Sequence, residues 1–168
     1  MSQEQYNQLI HSPRGFAYAT LRDVILKSIL GKETNGILYW IGKDLAREYP
    51  VASIDDVITL CDQLGFGNLT LEKSSATQHN FKLSGPAVEE RMNINKENTS
   101  FSLEAGFIAQ EIAFQVNAVT EAETHIHRKS VDIITQNDPA NSDEDPEIVN
   151  FIKLNPNKSN DHSDKKKK

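Results

Sequence analysis

Disulfide chemistry has almost nothing to work with in this sequence. Its one cysteine, Cys61, has no internal partner, which excludes a secreted scaffold stapled by bridges. Long apolar runs are missing too: the longest is the ILYWI of Ile37 to Ile41, far short of the roughly 20 residues that cross a bilayer. The opening MSQEQYNQLI has no basic stretch ahead of an apolar one, so no secretory signal is expected and the expected location is cytoplasmic. Positive charge is in deficit, with a formal net charge of −6 and a pI of about 5.4. Nucleic-acid binding draws most of its affinity from a basic face, so neither a nucleic-acid partner nor membrane insertion is expected. The one dense basic run, Lys165 to Lys168, reads as a solvated terminus.

What is present fits one domain. A chain of 168 residues, 38% hydrophobic and 25% charged, can bury a single core. Residues 1–15 read as a flexible N-terminus, 16–136 as a single α+β domain, and 137–168 as a polar, largely disordered tail. Within that tail, 148–154 (IVNFIKL) is an apolar island expected to dock on the domain. From Phe16, Tyr18, Leu21, Val24, Ile25 and Ile29 fall on one helical arc, with Thr20, Asp23 and Lys27 opposite. A second helix is predicted from Thr34 to about Glu48, with Ile37, Trp40, Ile41 and Leu45 inward and Lys43, Asp44 and Arg47 wet. Ser53 and Asp56 resemble a capping box opening a third helix through Leu64. The period then falls to two around Leu69–Glu72 and Asn80–Leu83, which predicts a hairpin ended by Gly85-Pro86. A fourth helix, about Ser102 to Asn117, is apolar on two sides. Such a helix is buried between layers or shared with a partner subunit. Two further strands are expected at about Val119–His127 and Val131–Gln136.

Five phrases occur in this order: NGILYWIGKDLAREYP, LGFGNLTLE, FKLSGPAVEER, FSLEAGFIAQEIA and EAETHIHRKSVDI. Together they resemble the YslB family of uncharacterised bacterial proteins and, more distantly, the 4-vinyl reductase domain and the Bet-type subunits of the TRAPP vesicle-tethering complex. The resemblance runs from about Phe16 to Gln136. It implies an α+β fold in which a twisted antiparallel sheet packs against helices, and dimerisation through helices. In several relatives it further implies an internal cavity for a small apolar or acyl ligand. It supplies no activity. The metal-binding cysteines of the 4-vinyl reductase pattern have no counterpart between Glu121 and Asp132. The haem-binding set of other relatives matches no stretch, and Cys61 does not align with the acylated cysteine of TRAPP-type subunits. No cofactor and no metal are therefore expected.

Several residues invite a chemical reading beside a structural one. His125 and His127, at i and i+2 on a strand, can share a face with Glu121 and Glu123 and so approach one metal ion. A solvent-facing strip of an edge strand explains the same residues without a metal. Arg91 with Glu89, Glu90 and Glu104 reads as a buried charge cluster, an anion clamp or a surface ion pair, the last being commonest. Gly65-Phe66-Gly67 lacks the Lys-Ser/Thr of a phosphate loop and reads as a helix-to-strand turn. Cys61, on an apolar helix face beside Asp62, reads as an inert small hydrophobe. Tyr39, Trp40, Phe107 and Phe114 line a ligand pocket, form a dimer face, or are simply core. These readings favour a non-enzymatic homodimeric domain that binds a small hydrophobic ligand or a protein partner. The alternative is a metal-dependent sensor or enzyme at His125 and His127. A scaffold that recruits through its tail is a third possibility.

Overall fold

The computed structural model describes residues 3–94, 99–142 and 149–155. Its architecture is α+β: a four-stranded, fully antiparallel open sheet with helices packed against it. In chain order the elements are α1 (Gln3–Ile10), α2 (Phe16–Thr20), a π-helical turn (Leu21–Ile25), α3 (Leu26–Leu30), α4 (Thr34–Glu48) and α5 (Ile54–Gln63). The hairpin β1 (Asn68–Ser74) and β2 (Gln78–Ser84) follows, then α6 (Pro86–Ile94), α7 (Ser102–Val116), β3 (Ala118–Ile126) and β4 (Ser130–Ser142). The sheet order is β1-β2-β4-β3, which leaves β1 and β3 as edges.

The third helix starts as expected. The Ser53 hydroxyl accepts from the Asp56 amide at 3.2 Å, satisfying one of the donors that every helix start leaves over. Gly65 and Gly67, both at positive φ, turn the chain from α5 into β1. α7 is the centre of the molecule. It packs on α4 on one side and on β3 and β4 on the other, and every residue from Leu103 to Ile112 is buried. Its contact with α4 is backbone on backbone: a Cβ on Gly42 would collide with the Leu103 carbonyl oxygen, and one on Gly106 with that of Tyr39. Leu38, Phe66, Phe81, Leu83, Phe107, Ile108, Ile112 and Ile133 fill the core between helices and sheet.

The structure departs from the sequence reading in four places. Residues 3–10, expected to be flexible, form α1, and Leu9 is fully buried. α6 was not anticipated; Pro86 marks its start, where a missing N–H costs nothing and the fixed φ suits a helix. β4 runs past Gln136 to Ser142, paired with β3. The largest departure concerns helix faces. Leu21, Ile25 and Ile29 are exposed while Arg22 and Asp23 are buried, and in α4 Ile37, Trp40 and Ile41 are exposed while Lys43 is buried. Both faces are inverted in part, because the buried charges have partners elsewhere in the chain, which periodicity alone does not register; Asp44 and Arg47 are exposed and Leu45 packs on the core, as the sequence predicts.

The apolar island does dock. Its described part, 149–155, crosses the junction of α4 and α5: the Ile152 amide donates to the Pro50 carbonyl at 2.9 Å, and the Gln63 side chain donates to the Asn155 carbonyl at 3.1 Å. Leu154 packs on the core, whereas Phe151 and Ile152 face outward. The acidic stretch at 143–148 and the terminal lysines lie outside the described residues. Among the described residues, no helix is long and apolar enough to cross a membrane.

Candidate functional site

Two polar constructions are built around α7, and they differ in what they can do. The first is a buried ion network. Asp23 from the π turn lies 2.8 Å from Arg14 and 3.4 Å from Arg91. Glu104 of α7 accepts from Arg22 at 3.3 Å and from Arg91. Glu90 accepts from Ser12 at 2.9 Å and lies 3.5 Å from Arg14. Arg91 also stacks on Phe101 and donates to the Ser100 carbonyl. Three guanidiniums face three carboxylates, so the network is formally neutral. Burial pushes the Glu104 carboxyl up, but Arg91 and Arg22 outweigh that and hold it below its ordinary value. The sequence offered a surface ion pair as the commoner reading of Arg91, Glu89, Glu90 and Glu104. The structure buries Arg91 and Glu104 and sends Glu89 to Lys129 on the surface, at 3.5 Å. Closed and neutral, this network fastens α2 and the π turn to α6 and α7.

The second construction is a groove open to solvent, with a volume of about 270 Å³. α4 supplies Trp40, Lys43 and Arg47 along one face, and α7 supplies Gln110, Phe114 and Asn117 at matching helical spacing. The start of β3 contributes Val119 to Glu121, and Val149 of the docked segment closes one side. An adjoining hollow of about 450 Å³ shares Arg47, Phe114 and Val149 and reaches Pro50 and Ile152.

The polar groups of the groove are ordered by one lysine. Lys43, almost wholly buried, donates to the Thr120 carbonyl at 3.2 Å and to Glu121 Oε1 at 2.7 Å. Its ammonium sits 5.2 Å from the centre of the Trp40 ring and 5.5 Å from that of Tyr39, within cation–π range of both. The Tyr39 hydroxyl donates to Glu121 Oε2 and accepts from the Ala122 amide. Burial and that carboxylate both push its pKa up. Arg47 bridges Asp44 at 2.9 Å and Gln110 at 3.1 Å.

The sequence candidates therefore separate. Trp40 and Phe114 line the groove, and Tyr39 supports it through Glu121. Phe107 does neither: it is fully buried against Phe66, with ring centres 5.6 Å apart. Lys43, Arg47 and Glu121 also belong to the groove, although the sequence points to Glu121 only beside His125 and His127. Lys43 and Arg47 were read as wet, and only a prediction of which strand follows α7 onto α4 would have placed Glu121 beside them. His125 and His127 stand on the exposed end of β3 and just beyond it, and their rings turn to separate carboxylates, Glu123 at 3.3 Å and Asp132 at 2.7 Å. Among the described residues, no three His, Cys, Asp or Glu side chains gather as a metal ion would need. Cys61 is fully buried, and burial pushes its thiol pKa up.

Residues 15–136 match the model of a family of proteins of unknown function, DUF2507. The chain is also similar to the uncharacterized protein YslB of Bacillus subtilis strain 168, with 30% identity over 119 residues, covering 71% of this chain and 80% of that protein. The groove residues of α4, α7 and β3 fall inside the family match; Val149 and Ile152 fall outside it.

Proposed function

The chain belongs to the DUF2507 family of proteins of unknown function, and from its geometry we propose a non-enzymatic, cytoplasmic homodimeric domain that binds a small hydrophobic ligand or a protein partner. The observation that carries the proposal is the pair of inverted helix faces. Leu21, Ile25 and Ile29, and then Ile37 and Ile41, put five large aliphatic side chains on the outside of two consecutive helical segments. Scattered apolar residues on a surface are ordinary, but rows at helical spacing are the pattern of a face that is covered in use. A second copy of the chain is the simplest cover, because homodimers with twofold symmetry are the commonest assemblies. The binding role falls to the groove, which lies beside this face and combines aromatic walls with a few convergent polar groups. A distant kinship with TRAPP Bet-type and 4-vinyl reductase domains is part of the same proposal, since dimerisation and small apolar ligands are what that kinship implies.

Sedimentation velocity of the wild type, Ile25→Glu and Ile37→Glu tests the dimer. Both positions are exposed, so charge there leaves the folded subunit intact and is expected to give monomer from a dimeric wild type. A wild type that sediments as monomer at tens of micromolar would remove the dimer from the proposal.

A further inference from the structure

We infer that the groove between α4, α7 and β3 binds a small monocarboxylate with a flat apolar body, with Lys43 as the group that holds the carboxylate. This deepens the proposed ligand-binding role and rests on it. The chain carries a net charge of −6, yet the ionic side chains lining this groove are Lys43 and Arg47 against Glu121 alone. Asp44 offsets Arg47 from just outside the lining, so the attraction for a small anion comes from one group and not from a net positive surface. Arg47 is occupied by Asp44 and Gln110, which leaves Lys43 as the anchor.

Lys43 is committed to partners that a ligand can use or replace. An ammonium has three donors; here one goes to the Thr120 carbonyl and one to Glu121 Oε1, and the third is uncommitted among the described residues. The Thr120 bond holds the amine in place. The Glu121 carboxylate also accepts from Tyr39, but its side chain is 57% exposed, so water can solvate it when a ligand displaces it. It occupies the amine as an incoming carboxylate would, and the ligand either takes the third donor or displaces Glu121. Because the amine is nearly buried, a carboxylate meeting it is shielded from water and salt far more than at a surface lysine. The apolar body has its own seat: the Trp40 ring on one wall, Phe114 on the other and Val119 at the end. A volume of about 270 Å³ is at the small end for ligand sites, which suits a single ring or a short chain.

Trp40 is the chain's one tryptophan and lines the groove, so its fluorescence responds to an occupant there. The experiment titrates the full chain with phenylacetate, its neutral isostere phenylacetamide, and the uncharged apolar probe N-phenyl-1-naphthylamine, on the wild type, Lys43→Met and Glu121→Gln. The expected result is saturable phenylacetate binding at least about tenfold tighter than phenylacetamide. Lys43→Met is expected to abolish that preference, and Glu121→Gln, which removes the competing charge, to tighten phenylacetate severalfold. Equal binding of acid and amide, with naphthylamine also bound, would overturn the carboxylate inference and leave a groove for neutral apolar ligands. Failure of all three probes to move Trp40 fluorescence would overturn the groove as a ligand site altogether. Should Lys43→Met fail to fold, Glu121→Gln decides: unchanged or weaker phenylacetate binding counts against the inference.

Discussion

At the scale of the residue, the two buried glutamates of α7 behave in opposite ways, and their partners explain why. Glu104 has two guanidiniums; Glu111 has only the Val51 amide at 3.1 Å and one oxygen without a partner. Burial therefore pushes the Glu111 carboxyl up to about 8, with the Val51 N–H opposing. In the unfolded chain this carboxyl titrates near its ordinary 4.5. Below that pH both states are protonated and nothing is lost. Between about 4.5 and 8 the unfolded state sheds a proton that the native state keeps, so native stability falls as pH rises through this window and levels off above it. Glu111→Gln removes the linkage. Urea unfolding is expected to show the variant more stable than wild type by about 2 kcal/mol or more at pH 8, with the gap shrinking toward pH 5. A gap that does not vary with pH would contradict the assignment. Glu104→Ala has the opposite expectation. It strands Arg22 and Arg91 in the interior and should cost about 3–5 kcal/mol in the same assay; a cost under 1 kcal/mol would mean that the network carries little. The sequence offers a buried charge cluster of Arg91 and Glu104 as one reading, but it gives no sign of Arg22 and Asp23 as members or of the burial of Glu111. A stripe that faces water and a stripe that faces buried guanidiniums are spelled with the same letters.

At the scale of the element, legibility followed the locality of the cause. The α5 cap, the β1–β2 hairpin, the α7 span and the edge position of the His125 strand could be read because a few adjacent residues decide each. α6 was missed because its sequence has almost no apolar periodicity and it is held by long-range contacts through Arg91. The faces of the π turn and α4 are reversed in part for the same reason: Arg22, Asp23 and Lys43 each have a partner 68 to 82 positions away. Of the four aromatic candidates, Trp40 and Phe114 lie on the groove and Phe107 in the core, a division that depends on how α4 crosses α7. At that crossing the backbones meet at Gly106, the tightest of the glycine contacts. Gly106→Ala forces the helices apart at the Tyr39 carbonyl, and overpacking of this kind should cost about 1–3 kcal/mol in urea unfolding. It should also widen the groove enough to alter Trp40 fluorescence. Gly36→Ala, on α4 with open space around it, is the control and is expected to be neutral or slightly stabilising.

At the scale of the whole molecule, one arrangement accounts for features that otherwise look like errors of folding. Charges are buried where other parts of the chain answer them, and the apolar faces displaced by those charges are turned outward on consecutive helical segments. α7, shielded on both sides by α4 and the sheet, is the internal frame, so the proposed second subunit would cover the outward faces of α2 to α4. The docked segment 149–155 walls the groove through Val149. Deleting residues from 143 onward is therefore expected to leave the domain folded while weakening ligand binding at Trp40, as checked by circular dichroism and fluorescence titration.

Native mass spectrometry of the 168-residue chain tests the proposed homodimer and its ligand together. A species at twice 18.8 kDa is expected, gaining mass in phenylacetate, one ligand per subunit, and losing it on denaturation. A monomer that takes up neither phenylacetate nor a neutral apolar probe would contradict it.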